Sequence, residues 1–422
     1  MSSMDCQTSP SAAQNASSVI DLDVAIIGGG IAGLWLINRL QTEGYECALF
    51  ENKALGSDQS VASQGMIHGG IKYTLSGALT GASEAIADMP AHWQDCLAGC
   101  GDVDLRGANV LSDHFYMWST ASVTSKLTTF FASKATRGRV EKVKAEQRPA
   151  VFQNKQFSGQ LYRLVDMVLD VPSVLKKLAS NVQGRTFLLP PEATTWQTDG
   201  QGRCQLLISH GKTSTLVRAK QFIFAAGKGN AGLLKQFDEK TPAMQTRPLQ
   251  QVLVKFDGAQ QFYGHCLGTD KTPKLTISTH PCRDGKWVWY LGGSLAEKGV
   301  NKPAQQLILE AKKELLQLMP WLDLSDAQWA TLPVDRAEPR QKNFVRPDKA
   351  YIGKAENVSN LSVAWPTKLT LSPNLANEAI SLLQQQGVLP NNQEPDWSLL
   401  KALPQAQLAE SPWDAVEFSR IS

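Results

Sequence analysis

Hydrophobic positions along this chain follow two periods, and the clearest switch between them comes early. Asp23–Ile27 (DVAII) is a short apolar run of the kind a buried parallel strand requires. It leads directly into Gly28-Gly29-Gly30-Ile31-Ala32-Gly33, after which Ile31, Leu34, Ile37 and Leu40 fall on one helical face. Gly44 stops that helix, Glu46–Phe50 (ECALF) is a second strand, and Glu51 stands at its end. Gln221–Ala226 (QFIFAA) is a further buried strand, and Arg163–Asn181 is a short strand followed by a helix. Later the period changes. Leu275 and Ile277 alternate with Thr276 and Ser278, Asp284-Gly285 marks a turn, and Lys286–Leu291 (KWVWYL) returns as the partner of a hairpin. Pro303 then opens a helix whose stripe of Leu307, Ile308, Ala311, Leu315 and Met319 runs to Pro320 and is core packing.

The early strand–glycine–helix–strand–acid series has a physical purpose at each point. Gly28 permits a tight turn, Gly30 lets a pyrophosphate approach the backbone, and Gly33 lets the helix lie close to the strand. The helix start offers N–H groups and partial positive charge to phosphates. Glu51 can accept from both ribose hydroxyls and repels a 2′-phosphate. A second run, Gly227-Lys228-Gly229-Asn230-Ala231-Gly232, also follows a strand, but Pro242 and Pro248 interrupt what comes next. It reads as a strand returning to the first sheet, with Ala226 and Gly227 turned toward the same ligand.

Composition narrows the partners. The 42 basic and 39 acidic residues give a net charge of +3, which supplies no reason to expect nucleic acid or an anionic membrane. The seven cysteines lack regular or metal-ligand spacing, so no metal is expected and the thiols read as reduced in a cytoplasmic protein. Residues 1–20 are small and polar, without the basic start and apolar core of a signal peptide, and are expected to be a disordered tail. The apolar-looking run Ala25–Ile37 contains four glycines and is too short to span a bilayer, so no transmembrane segment is expected.

Beyond Glu51 the chain reads Ser60-Val-Ala-Ser-Gln-Gly-Met-Ile-His-Gly-Gly-Ile-Lys-Tyr73. Arg346–Gly353 (RPDKAYIG) and Trp365–Pro373 (WPTKLTLSP) follow much later. In this order these segments resemble the D-amino-acid oxidase superfamily of FAD enzymes, nearest its aerobic glycerol-3-phosphate dehydrogenase branch. The resemblance spans residues 22 to 385. It implies an α/β fold in which a Rossmann-type FAD-binding domain of the glutathione-reductase-like kind interleaves with an antiparallel-sheet substrate domain. The expected FAD domain is 21–75 with 161–246 and 346–390. The substrate domain is 76–160 with 247–345, and 391–422 is a C-terminal tail.

The resemblance also implies site residues. FAD would be held at Gly28, Gly30, Ile31, Ala32 and Gly33, then Glu51 and Asn52. The serine-rich turn would add Ser60, Ser63, Gln64, Gly65, His68, Gly69 and Gly70. Ala226 and Gly227 would close one side, and Lys368, Leu369, Thr370 and Leu371 would meet the flavin's pyrimidine edge. There a helix start and a lysine suit the negative charge of a flavin gaining a hydride. Lys72, Tyr73 and Lys368 would surround the substrate. Arg336, with Arg340 behind it and Arg346 as a further candidate, would pair with a substrate carboxylate or phosphate. Trp287, Trp289 and Tyr290 are candidate pocket linings. His68 reads as a structural hydrogen bonder, a base or a covalent attachment point, and His265 and His280 are further candidate bases.

These features describe an FAD-dependent dehydrogenase or oxidase that removes a hydride from a small anionic substrate, a polyol phosphate or 2-hydroxy acid. Alternatives are an amino acid or N-methyl amine as substrate, a flavoprotein acting on tRNA, a non-catalytic flavin-binding protein, and a pyridine-nucleotide dehydrogenase. Oxygen, a quinone and a carrier protein all remain open as electron acceptor. Lysine stands at Lys72 where the glycerol-3-phosphate branch has arginine, which weighs against bidentate phosphate binding there.

Overall fold

A computed structural model describes residues 17–70, 86–120, 140–268, 272–391 and 393–421. Two large sheets dominate it, and the chain passes between them several times. The first has eight strands among the described residues. Its parallel centre is Cys47–Glu51, Ser18–Ile27, Thr213–Phe224 and Leu361–Trp365, side by side in that order. Both faces of this centre are covered, which explains why its strands are continuous apolar runs. On one face the helix Ile31–Thr42 buries Leu34, Ile37 and Leu40 against Leu375, Ala376 and Ala379 of the helix Ser372–Gln385. On the other, Ile27, Phe50, Phe187, Phe224 and Val363 form a second core.

The second sheet has nine strands among the described residues, and its neighbours are antiparallel except where Gly264–Cys266 runs parallel to Phe115–Ser119. At its centre Met244–Lys255 lies between Gln328–Pro339 and Trp287–Gly292. Side chains alternate across the strand. Val252 and Val254 pack under the helix Ala304–Leu318, against Leu307, Ile308, Ala311 and Leu315, so the predicted helical stripe is core. The opposite face looks toward the first sheet. The Asp284-Gly285 hairpin forms as expected, between Leu275–Pro281 and Trp287–Gly292.

Three expected boundaries move. Ser18–Ile20 already run as strand beside Thr215–Val217, so the tail expected over residues 1–20 ends sooner; hydrogen bonding to a neighbouring strand orders polar residues that their own composition would not. Gln160–Leu164 pairs with Phe115–Ser119 and belongs to the second sheet, as does Met244–Arg247 through its pairing with Arg336–Pro339. Finally, residues 391–421 are not a loose tail. Leu408 and Gln405 bridge to Leu55 and Phe187 of the nucleotide-binding half. Trp413 is buried, and Ser419–Arg420 pairs with Gln328–Trp329 at the edge of the second sheet. Apolar anchors spaced along a polar segment give it this path.

Candidate active site

A cavity of about 710 Å³ opens between the two sheets, at the carboxyl ends of the parallel strands. This is where ligands settle in open α/β sheets. Gly28 turns at φ +111°, and a Cβ there would come within 2.6 Å of the Ala226 Cα. A Cβ on Gly33 would come within 1.9 Å of the Gly28 carbonyl oxygen, so only glycine lets this helix sit on its strand. Gly33 therefore supports the cavity from behind, while Gly28, Gly30, Ile31 and Ala32 line it. Glu51 is buried at the cavity wall. Its Oε2 accepts from the Gly29 N–H at 2.5 Å and its Oε1 from the Lys53 N–H at 2.9 Å. A carboxylate has about four acceptor positions, so two remain for a ligand.

The serine-rich turn forms the next wall. Ser60 Oγ accepts from the Ile31 N–H at 2.9 Å and pins the turn to the helix start. Asn52, Ser60, Ser63, Gln64, Gly65 and His68 all line the cavity, as do Ala226 and Gly227 from the returning strand. The Ser63 hydroxyl oxygen is buried in that wall and makes no hydrogen bond. Gly69 and Gly70 lie behind the lining, where the Gly69 N–H donates to Asp166 Oδ1 at 2.9 Å. Lys72 and Tyr73 fall outside the described residues.

Opposite stands the turn after Trp365. Lys368, Leu369 and Thr370 line the cavity, whereas Leu371 is buried in the helical core. The first and last of the four expected donors are spent on local bonds, since the Lys368 N–H donates to the Pro366 carbonyl at 2.7 Å and the Leu371 N–H to the Lys368 carbonyl at 3.0 Å. Lys368 itself is buried, with Nζ donating to the Asp348 carbonyl at 3.1 Å. Thr370 Oγ1 accepts from the His68 N–H at 3.4 Å and donates to the Met66 carbonyl at 3.1 Å, tying the two walls together.

The second sheet is the roof. Leu249, Gln251, Val334 and Arg336 line it from adjacent strands. Arg336 is largely buried. Burial, with the like charges of Arg247 and Arg346, pushes its guanidinium down to about 10, so it stays charged at neutral pH but in strongly positive surroundings. Arg247 forms a two-point ion pair with the buried Glu338, and Glu297 reaches only to 3.8 Å from Arg336. Arg346 also lines the cavity. Arg340 does not reach it: this residue is exposed, with its guanidinium over the Phe344 ring.

Other candidates part from the cavity. Trp289 donates to the Gln260 carbonyl at 2.7 Å and Tyr290 to the Ala62 carbonyl at 2.8 Å; both are buried, and neither they nor Trp287 line the cavity. His265 bonds Thr276 at 2.8 Å within its own hairpin. His280 is fully buried, bonded to Ser278 Oγ at 2.9 Å and stacked on Trp413 at 4.3 Å. Strand alternation sends these side chains inward or into other pairs. The fold also gathers His92, Cys96 and Asp102, a set that spacing did not reveal. Asp102 there is already bonded to Arg39 and His92, and burial pushes the Cys96 thiol up to about 12, so the group reads as a structural cluster. Gln251, Leu249 and Val334 were missed by sequence reasoning, because only strand register brings them to the cavity.

Comparison with known proteins agrees with this geometry. The profile of the FAD dependent oxidoreductase family (DAO) matches residues 23–375. The chain belongs to this family. A probable FAD-dependent oxidoreductase of Pseudomonas aeruginosa, PA4991, is 46% identical over 396 residues, which cover 94% of this chain and 98% of that protein. Its crystal structure superposes with a TM-score of 0.79 at 41% identity, covering 94% of this chain and 98% of that one. The fold is shared with glycine oxidase from Geobacillus kaustophilus (TM-score 0.61, 16% identity, 89% and 99% covered). It is also shared with L-α-glycerophosphate oxidase from Mycoplasma pneumoniae with FAD bound (TM-score 0.62, 18% identity, 86% and 95% covered). This FAD-dependent oxidoreductase has a wall that fits its cofactor. Unspent acceptors on Glu51, an orphaned Ser63 hydroxyl, and a glycine turn at a helix start suit ribose and pyrophosphate. Ribose and pyrophosphate are common to FAD and NAD, so it is the family match that sets a pyridine-nucleotide enzyme aside. None of the described helices is long and apolar enough to cross a membrane.

Proposed function

We propose that this enzyme oxidises a small anionic substrate by removing a hydride from a carbon that bears a hydroxyl or an amine. Arg336 carries the reading. It is a largely buried guanidinium on the cavity roof, whose nearest carboxylate, Glu297, stays 3.8 Å away while Glu338 is taken up by Arg247. A buried cation without full compensation is costly, and a bound anion relieves that cost. FAD supplies the hydride acceptor when bound. The protein's own residues do the rest. Arg336, with Arg346 nearby, fixes the anionic group. His68, the one histidine among the described cavity-lining residues, accepts the hydroxyl or amine proton. Lys368 and the first-turn N–H groups of Leu369 and Thr370 offer positive potential on the far wall. The roof strands shield the reacting carbon from water.

A polyol phosphate or 2-hydroxy acid and an amino acid fit this charge pattern alike, and glycine oxidase and L-α-glycerophosphate oxidase, which share the fold, are named for such compounds. Near-neutral net charge argues against tRNA. The test is anaerobic bleaching of the enzyme-bound flavin by a panel of hydroxy acids, polyol phosphates and amino acids. Loss of the oxidised-flavin band with one class supports the reading and selects the class. A yellow protein that no anionic compound bleaches overturns it.

A further inference from the structure

The roof carries a second recognition element, set at a fixed distance from Arg336. In the pairing of Met244–Lys255 with Gln328–Pro339, Arg247 lies opposite Arg336, Leu249 opposite Val334, and Gln251 opposite Leu332. These three rows share one face. At about 3.3 Å per residue, the Arg336 row and the Gln251 row are about 13 Å apart along the strands. Leu249 and Val334 lie between them and line the cavity.

Gln251 is 5% exposed, lines the cavity, and its Oε1 has no hydrogen-bond partner. Gln64 sits beside it. Both N–H groups of the Gln64 amide are spent, donating to Ser278 Oγ at 3.2 Å and the Tyr290 carbonyl at 3.0 Å, which commits its Oε1 to acceptance. Gly292, next to Gln251 across the sheet, leaves the room: a Cβ there would lie 3.0 Å from Gln64 Oε1 and 3.3 Å from Gln251 Oε1. Two carbonyl oxygens therefore face one small space. A donor from a ligand can enter it. Alternatively the Gln251 amide turns, gives an N–H to Gln64, and swings its oxygen toward the cavity. Both arrangements leave one acceptor over, in a place where an unmet acceptor is costly.

We infer that the substrate is an elongated anion whose acidic group meets Arg336 and whose far end presents a hydrogen-bond donor to Gln251, with an apolar stretch lying under Leu249 and Val334. This rests on the reading of Arg336 as the anion site, and it excludes the shortest 2-hydroxy acids as best substrates, because their donor sits next to the acid.

The test uses the FAD-loaded enzyme, anaerobically, with two series of straight-chain carboxylates from two to eight carbons. One series ends in a hydroxyl and the other in a methyl. Binding is measured by titration calorimetry. Affinity is expected to rise with length in the hydroxyl series and to exceed that of the matching methyl compounds by about 10- to 100-fold at the long end. Gln251→Leu should erase that difference, with methyl-terminated compounds binding at least as well as before. Gln251→Met, close in shape but without an acceptor, should do the same if the leucine variant does not fold. Gln251→Glu should retain the preference. Tightest binding by the two-carbon acid overturns the inference, as does a hydroxyl preference that survives in Gln251→Met. Flavin bleaching scored in the same samples separates the two readings. The length and donor pattern without bleaching supports the span and removes the oxidation. Bleaching by two-carbon acids at a rate indifferent to Gln251 does the reverse.

Discussion

Acid should weaken this protein through one histidine that stands outside the cavity lining. His280 is fully buried in the second sheet, bonded to Ser278 and stacked on Trp413. Burial pushes its pKa from 6.5 down to about 3. Below pH 6.5 the unfolded chain takes up a proton on this residue, and the native state does not until about pH 3. The unfolded state thus binds more protons across that window, and stability falls as pH falls through it. Between pH 7.5 and pH 5.0 the loss from this residue alone amounts to about 2 kcal/mol. His280→Gln keeps a hydrogen-bonding side chain for Ser278 and cannot titrate. Urea unfolding followed by tryptophan fluorescence, at both pH values and on both proteins with FAD bound, gives the comparison. The carboxylates contribute equally to each protein, so the wild type should lose about 2 kcal/mol more than the variant. Equal losses would refute the reasoning, because they would mean that His280 protonates within the native fold.

Other substitutions probe the cavity. Gly33→Ala puts a methyl where the Gly28 carbonyl lies, costing roughly 1–3 kcal/mol of strain, and should lower both melting temperature and flavin content on purification; full flavin with unchanged melting would contradict it. Glu51→Gln sets an amide N–H against one of two backbone donors and replaces charge-assisted bonds with neutral ones. The dissociation constant for FAD should rise about tenfold in a reconstitution titration, and an unchanged value would remove Glu51 from cofactor binding. Arg336→Leu should slow flavin bleaching by subsaturating anionic substrate about tenfold or more and flatten its salt dependence, with Arg336→Lys intermediate. A leucine variant bleached as fast as wild type would place the anion site elsewhere.

What could be read in the chain follows from the range of the interactions involved. The turn from Gly28 to Gly33, the helix behind it and Glu51 depend on neighbours within thirty residues, so periodicity and glycine placement sufficed. The placement of Ala226 and Gly227 was legible because a strand that ends in glycine and lacks its own acid has to join an existing sheet. Apart from Arg336, the lining of the roof was not legible. Gln251 faces Gln64 and stands two rows from Arg336 only because three strands pair in one register. A slip of one residue would turn each of these side chains to the other face. Arg340 misled for the same reason: it lies just past the paired strand, where alternation no longer decides which way a side chain points. The aromatic strand residues went to the interior through hydrogen bonds to Gln260 and Ala62 that no local pattern signals.

The path of residues 391–421 has a bearing on biosynthesis. The Ser18–Ile27 strand is made nearly two hundred residues before its partner Thr213–Phe224, and Leu361–Trp365 emerges later still. Among the described residues, Ser419–Arg420 covers the Gln328–Trp329 end of the second sheet, and it emerges later again. Pairings so distant in the chain are slow to form and leave strand edges bare meanwhile. A ribosome-bound chain therefore carries a partly assembled nucleotide fold with an open roof. The cavity draws on Gly28, Ala226, Arg336 and Lys368, so it is whole only once all four have left the exit tunnel and both sheets have paired.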